Sequence, residues 1–502
     1  MLRSLATAAG SRYELHPGPR RVRTVTYLDT ADHRLRRKNL VLTHERAGAA
    51  GELVLTGRGD THTVRLKELP RFPARLEQLP GGLVRDELGP VVGIRAVLPT
   101  LTARTVTREV AVRDSRGDLV AKFEWIETTV TEPAAAEPLV RITLYPQPGC
   151  RKAGERLAKR LRAQPQIRSA SSAPAQAYTE LLTATGALRQ AGNGRPPITR
   201  DTPAVAAVAT ALLGFADTIA DTLGGVVDDV DTEFLHELRV AVRRTRSLLK
   251  LAGDVLPAEL ARRYAAEFAW LGDLTTPTRD LDVFLLRMED LANTLLACEA
   301  ADLRPFTEHL CAQRDRARDE LVDGLRSQRF SGLLDGWWRE LDAVLQNCGT
   351  AGSTSFGSAR ELAEKRLRRA VKRVVRRAAT ITPESPSARV HDLRKRCKEL
   401  RYLLEVARPV CDARAHRAAL RDLKRLQDVL GDFQDGEVQS AALHTYAEQL
   451  QAVDPRPPAA TLLAMGELAA GLVAQQRKAR ADLTAVLREF LGPVTRQHLK
   501  AL

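Results

Sequence analysis

Between residues 23 and 146, short runs rich in Val and Thr (VRTVTYL, LVLTHE, ELVLTG, THTVRLKEL, TVTREVAVRD, LVAKFEWIETTV, LVRITLY) are separated by Gly, Pro and Asp. Runs of this length and composition, bounded by turn residues, predict strands of an antiparallel β domain. A basic helix is expected near 151–163 and a second near 175–187, and GNGRPPITRDTP then reads as a linker. Beyond Pro203 the apolar residues recur at helical period among Ala, Leu, Arg and Glu, interrupted by GTAGSTSFG at 349–357 and TPESPS at 382–387. That period predicts an all-helical region. The expected class is therefore α+β in two domains, a β domain over 1–190 and a helical domain over 203–495, joined by residues 191–202.

Composition changes the picture in one place. The chain has 502 residues and a formal net charge of +15, yet residues 359–425 alone hold 21 Lys/Arg against 8 Asp/Glu, a local +13. So concentrated an excess points to one anionic partner. Six scattered cysteines without a CxxC pair argue for a reducing, cytoplasmic setting and against a zinc site. The most apolar stretches, 203–227 and 459–474, are interrupted by Asp217, Asp221 and Glu467, short of an unbroken membrane span, and the N-terminus reads as no export signal.

The strongest signal is internal. His236-Glu-Leu-Arg239-Val-Ala-Val-Arg243-Arg-Thr-Arg246 reappears as His391-Asp-Leu-Arg394-Lys-Arg-Cys-Lys398-Glu-Leu-Arg401, and an Asp follows each His by 44 residues, Asp280 and Asp435. Equal spacing over that distance predicts a duplicated helical unit, with copies near 203–300 and 358–455. At about 100° per residue the His and its three cations fall within an arc of roughly 80°. Leu238, Val242 and Leu249 fall on another face, as do Leu393, Cys397, Leu400 and Leu404. Each helix thus packs with one side and presents a cationic ladder with the other.

Two flanking helices add stripes: Lys365, Arg369, Lys372 and Arg376 before the second copy, and Arg414, Arg417, Arg421 and Lys424 after it. Converging, the three stripes would line a groove with cationic side chains. A basic stripe is commonly a solvated face with i,i+4 ion pairs, but these stripes hold few acids, and like charges at that spacing cost free energy unless an anion offsets them. The histidines read as ligand contacts before structural hydrogen-bond donors, and as catalysts last, since no nucleophile or paired carboxylate lies at a suggestive spacing. Surrounding cations bias them toward neutrality. Asp280 and Asp435 read as partners that orient a His or Arg.

These residues make the region from 203 to 490 resemble the CHAD family, the conserved histidine α-helical domain, through LHELRVAVRRTRSLL with TPTRDLDV and VHDLRKRCKELRYLLE with LGDFQD. The resemblance implies two pseudo-twofold-related four-helix bundles around a basic channel that binds inorganic polyphosphate, and a place on polyphosphate granules. It nominates His236, Arg239, Arg243, Arg246, His391, Arg394, Lys398 and Arg401 as ligand contacts.

The N-terminal region is similar to a CYTH domain, the triphosphate tunnel fold, in VTYLDTADHRLRRKNLVLTHERAG and RDSRGDLVAKFEW. It departs from that family where the metal would bind. No E-x-E-x-K strand precedes Tyr27, Thr43 and Glu45 occupy the R-x-R strand, and Arg141 and Thr143 occupy the late E-x-E strand. A divalent cation beside phosphates needs several oxygen ligands. Glu45, Glu124 and Glu127 remain, but Glu124 and Glu127, three apart, point to opposite faces of one strand. Arg65 and Lys67 share a strand face, which reads equally as a remnant of anion affinity and as a solvated face. The expectation is an inactive tunnel domain without metal or cofactor.

Three functions compete: polyphosphate binding, a metal-dependent triphosphatase weakened by the lost carboxylates, and nucleic-acid binding. Any phosphate polymer suits a basic groove. Single-strand binders add aromatic platforms; here aromatics are 4% of the chain and only Tyr402 lies among the basic helices, which favours a partner without bases.

Overall fold

The computed structural model describes residues 12–47, 50–57, 59–66, 71–133, 137–165, 167–170, 173–186, 188, 195–348, 357–452 and 456–502. Lys67, part of the expected linker and most of the 349–357 break lie outside the described residues. The chain divides into two compact units, residues 1–191 and 192–502.

Among its described residues the first unit forms one antiparallel sheet of seven strands: β1 (Tyr13–Asp29), β2 (Val41–Ala47), β3 (Ala50–Thr56), β4 (Thr61–Leu66), β5 (Leu98–Asp114), β6 (Leu119–Glu132) and β7 (Leu139–Pro146), in the order β4-β3-β2-β1-β5-β6-β7. All seven runs read from the sequence are strands, and the sheet is consistent with a CYTH-like tunnel. Successive side chains on β2 take opposite faces. Leu42 packs with Leu28, Leu53, Leu55 and, from helix α2 (Leu83–Val92), Leu88 and Val92. Its neighbour Val41 packs with Leu101, Ala103 and Val130 against Tyr178, Leu181 and Leu182 of α4 (Pro174–Ala184). The preceding helix α3 (Arg151–Arg162) covers Phe123 and Trp125 with Leu157 and Leu161, while the short α1 is Arg34–Arg37.

Among the elements that differ from expectation are β1, β5 and α2; β5 begins at Leu98, before the run TVTREVAVRD at 105–114. β1 begins at Tyr13, well before residue 23, because its pairing with β5 continues past Pro17-Gly-Pro19 through a register irregularity between Pro17 and Arg20. Prolines lack the ladder donor and are tolerated at such interruptions; Arg108 Nε donates to the Gly18 carbonyl there at 2.8 Å. Helix α2 was hidden by Pro90, yet Val84, Leu88 and Val92 recur every four residues and are all buried.

Among its described residues the second unit is built of helices. Its first copy comprises α5 (Ala204–Val227), α6 (Thr232–Ala252), α7 (Ala258–Leu286), the short α8 (Met288–Ala292), α9 (Arg304–Arg326) and α10 (Gln328–Asn347). Its second comprises α11 (Ala359–Ala378), α12 (Ser387–Ala407), α13 (Ala413–Gln451), α14 (Ala459–Phe490) and α15 (Pro493–Lys500). Helices α5, α6 and α7 each begin 155 residues before α11, α12 and α13, and α6 and α12 also end at that offset. The duplication therefore extends to helix boundaries as well as to the motif. The apolar stripes face inward: Leu238, Val242 and Leu249 are buried on α6, and Leu393, Cys397, Leu400 and Leu404 on α12. Helix α5 is long and apolar enough to cross a membrane by length and composition. Leu212, Leu213, Ala216 and Ile219 on it are buried in the bundle, and Asp217 pairs with Arg195 at 2.6 Å.

One ion-pair cluster ties the first copy together. Arg314 on α9 donates from Nε to Asp282 Oδ1 and from Nη1 to Asp229 Oδ2, both at 2.8 Å, joining α7 to the turn after α5. Burial pushes the Asp282 carboxyl up, and Arg314 opposes it. Removing one partner of a buried pair costs about 3–5 kcal/mol, because the other charge stays desolvated. Arg314→Met should therefore lower the urea midpoint of the helical transition, followed by circular dichroism of the full chain, whereas Arg316→Met at a nearby surface position should change stability by no more than about 0.5 kcal/mol and leave the midpoint nearly unmoved. Equal midpoints for the two variants would contradict the assignment.

Candidate anion-binding site

The two histidine helices meet side by side. Arg244 on α6 pairs with Glu405 on α12 at 2.7 Å, Lys250 with Glu399 at 2.6 Å, and the Arg243 guanidinium lies 5.4 Å from the Tyr402 ring centroid. Beside this contact, α5, α6, α12 and α13 enclose a cleft of about 1010 Å³. A separate apolar cluster joins the copies through Leu281, Phe284 and Phe306 of the first and Leu443, Met465 and Leu468 of the second.

The cleft gathers His236, Arg243 and Arg244 from α6 with Arg394, Lys398 and Arg401 from α12. It does not gather every expected residue. Arg239 is drawn aside, donating to Thr275 and Thr276 hydroxyls at 2.9 Å and to the Gly272 carbonyl at 3.3 Å. Arg246 packs against Gly272, where an added Cβ would lie 2.5 Å from its Nη1, so that glycine makes room for the guanidinium. His391 is exposed outside the lining, its Nδ1 donating to Gln434 Oε1 at 2.7 Å. This is the orienting hydrogen bond, though Gln434 rather than Asp435 accepts it. Asp435 instead accepts from Arg394 at 3.2 Å.

The expected convergence of three basic stripes does not occur. The α11 residues Arg369, Lys372 and Arg376 line a different groove, and Lys365 is exposed outside its lining. Arg414, Arg417, Arg421 and Lys424 are exposed on the first turns of α13, which enters the cleft only from Gln427 onward. Helical direction explains the split: residues on one face of one helix share a neighbour, but stripes on different helices converge only if those faces oppose one another.

The central cleft is also less uniformly basic than the stripes suggested. Glu237, Glu405, Asp428, Asp432 and Asp435 face its five Lys/Arg side chains and His236. Asp428, Asp432 and Asp435 recur at four and three on α13, a spacing visible in LQDVLGDFQD. Burial and the neighbouring Asp435 and Asp428 carboxylates push the Asp432 carboxyl up. Arg401 is held by Glu405 at 3.0 Å. An incoming anion must displace such partners or share the cations with them.

Desolvation marks the cations that do point inward. Burial pushes the His236 imidazole down, with Arg279 the largest neighbouring charge acting in the same direction, which keeps it neutral near pH 7. Burial, reinforced by Arg394 and Arg243, pushes the Lys398 ammonium down to about 8, and Asp435 opposes them.

On the sheet of the first unit, the face carrying Val41 also carries Tyr27, Thr43, Glu45, Thr105 and Arg141, by the register of the ladders. Glu45 pairs with Arg23 at 2.6 Å, Arg141 with Glu180 of α4 at 3.4 Å, and Tyr178 of α4 stacks on Tyr27 with centroids 5.2 Å apart. The register adds what the sequence reading lacked, placing Glu109 directly opposite Glu124 on that face. With Glu45 opposite Glu52 on the same face, two cross-strand carboxylate pairs are therefore present there. Lys122 pairs with Glu109 at 2.9 Å, and the Tyr145 hydroxyl donates to Glu124 at 3.2 Å. Among the described residues no group of three or more His, Cys, Asp or Glu side chains could hold a metal ion.

Comparisons with known proteins bear on the helical unit. Residues 210–444 match the CHAD domain family. "Uncharacterized protein Rv2226" of Mycobacterium tuberculosis H37Rv is 28% identical over 221 residues, 41% of this chain and 38% of that protein. "Uncharacterized protein MT2285" of strain CDC 1551 is 27% identical over the same shares. The chain thus spans under two fifths of the length of these curated relatives. The crystal structure of the CHAD domain from the plant Ricinus communis aligns with a TM-score of 0.49 at 26% identity, covering 62% of this chain and 96% of that one. PptA from Streptomyces chartreusis aligns with a TM-score of 0.42 at 19% identity, covering 57% and 100%.

Lys398 supplies a test of the cleft's electrostatics. A folded-state value near 8, below the ordinary 10.5 of a lysine, means the folded protein pays to keep this ammonium charged below pH 8, and stability recovers as pH rises from about 8 toward 10.5. Lys398→Met should raise the melting temperature at pH 7, through a stability gain on the order of 1 kcal/mol given the partial exposure of the group. The advantage should shrink between pH 8 and 10. A variant that melts lower than the parent at pH 7 would contradict it.

Proposed function

Because residues 210–444 are a CHAD domain, we propose that the helical unit binds inorganic polyphosphate in the cleft between its two copies. The carrying observation is that His236 and Arg243 of the first copy and Arg394, Lys398 and Arg401 of the second turn into one cavity. A linear polymer with a charge on every unit competes best for cations that already have carboxylate neighbours, since it meets several at once and releases condensed counterions. Nucleic acid is the lesser reading. Tyr402 and Phe215 are the aromatic side chains in the lining, and Arg243 lies near the face of Tyr402, leaving little platform for stacked bases. On this reading the chain is a cytoplasmic protein of polyphosphate granules, and its first unit is not an enzyme, since the carboxylates Glu45, Glu52, Glu109 and Glu124 of the sheet face are engaged by Arg23, Arg65, Lys122 and Tyr145.

Titration of the full chain with long-chain polyphosphate, single-stranded DNA and ATP at matched phosphate concentration tests the reading. Polyphosphate should bind tightest, with a log-log salt slope of about −3 for four cations engaged. Replacing Arg394, Lys398 and Arg401 with Ala should weaken binding more than replacing Arg239, Arg243 and Arg246, because only Arg243 of the latter lines the cleft. Equal losses from the two triples, or a preference for DNA, would overturn the assignment. For the first unit, Mg²⁺- or Mn²⁺-dependent phosphate release from tripolyphosphate that Glu109→Gln or Glu124→Gln abolishes would make it an enzyme.

A further inference from the structure

The basic stripe of α11 forms a groove of about 420 Å³ with the end of α6 and with α12. We propose that this groove is a second anion site, separate from the central cleft, that takes a compact oligophosphate; the proposal rests on the polyphosphate reading only for the class of ligand.

The contrast in charge carries the argument. The central cleft balances its cations with five carboxylates, whereas the groove is lined by Lys250, Arg366, Arg369, Lys372, Arg373 and Arg376 and by no carboxylate. Lys250 is held by Glu399 and Arg366 by Asp254. Arg369, Lys372, Arg373 and Arg376 have no carboxylate within ion-pair distance among the described residues, and the buried Nε of Arg373 has no hydrogen-bond partner. These four stand at spacings of three, one and three on a single helix, over about 10 Å of rise. Every i,i+3 and i,i+4 pair among them is a like-charge pair, which destabilises the helix until an anion is present. The opposite side of α11, with Leu367, Ala370 and Val374, is buried, so the helix cannot turn the stripe away.

Nor is the groove a by-product of the duplication. At the offset that brings His236 onto His391, Lys372 and Arg376 correspond to Asp217 and Asp221, and Arg369 to Gly214. In the first copy Asp217 pairs with Arg195 instead. Among the described residues, these positions are cationic and without a carboxylate partner in the second copy and not in the first. Four cations set close together around a small volume suit a short condensed phosphate, which can neutralise all of them at once, whereas the larger central cleft needs a polymer to engage residues of both copies.

Calorimetric titration of the full chain with tripolyphosphate at low salt tests this. One variant carries Arg369→Ala, Lys372→Ala and Arg376→Ala, and the other Arg394→Ala, Lys398→Ala and Arg401→Ala. The α11 triple should lose at least tenfold in tripolyphosphate affinity while the α12 triple stays within threefold, and the pattern should reverse for long-chain polyphosphate. Lys372→Glu, a single exposed change, should also weaken tripolyphosphate binding at least tenfold, which separates a lost site from a misfolded variant. No tripolyphosphate binding by the parent, or a loss confined to the α12 triple, would overturn the second site and leave the central one standing. If instead neither triple affects long-chain polyphosphate while the α11 triple abolishes tripolyphosphate binding, the groove stands and the central reading fails.

Discussion

Everything at the candidate site depends on the burial of one apolar stripe per histidine helix. With Leu238, Val242 and Leu249 turned into one bundle and Leu393, Cys397, Leu400 and Leu404 into the other, α6 and α12 have no freedom to rotate, and their polar faces are left toward each other and toward α13. Closely packed interiors resist such rotation because every methyl group has a place. The cleft is what remains between the bundles once the α6–α12 contact and the Phe284–Met465 region have joined them. Its charged groups are held at positions that their own electrostatics would not choose.

That imposition has a cost, visible in the groups pushed from their ordinary ionisation. His236 and Lys398 are desolvated among like charges, and Asp432 among other carboxylates. Conflict of this kind between local preference and the fold is commonest where a protein meets its ligand. The α11 stripe is another instance, at the surface and without the acids that soften the central cleft.

Periodicity in the sequence reaches the elements and their faces. All seven strands follow from Val- and Thr-rich runs between turn residues, and the helical half and the buried stripes of α6 and α12 from helical spacing, which determines which side chains share a face. Helix α2 and the first half of β1 were obscured by Pro90 and by Pro17-Gly-Pro19, residues that break local pattern but that tertiary pairing accommodates. What lies between elements was not legible. The opposition of Glu109 and Glu124 depends on strand register, the parting of the α11 and α12 stripes on helix orientation, and the diversion of Arg239 on the hydroxyls of Thr275 and Thr276. No one-dimensional period encodes any of the three.

The two ion pairs across the α6–α12 contact also record how the copies have diverged. At the 155-residue offset Arg244 corresponds to Glu399 and Lys250 to Glu405, so Arg244–Glu405 and Lys250–Glu399 are one contact written twice, with the cation always on the first copy. Two first copies brought together the same way would set arginine against lysine, and two second copies glutamate against glutamate, and juxtaposed like charges disfavour a wrong partner. Only unlike copies match. The same charges would tolerate exchange of a first copy between two chains, since the exchanged copy meets the same glutamates. The interface between the duplicated halves thus has a polarity, and the halves are not interchangeable.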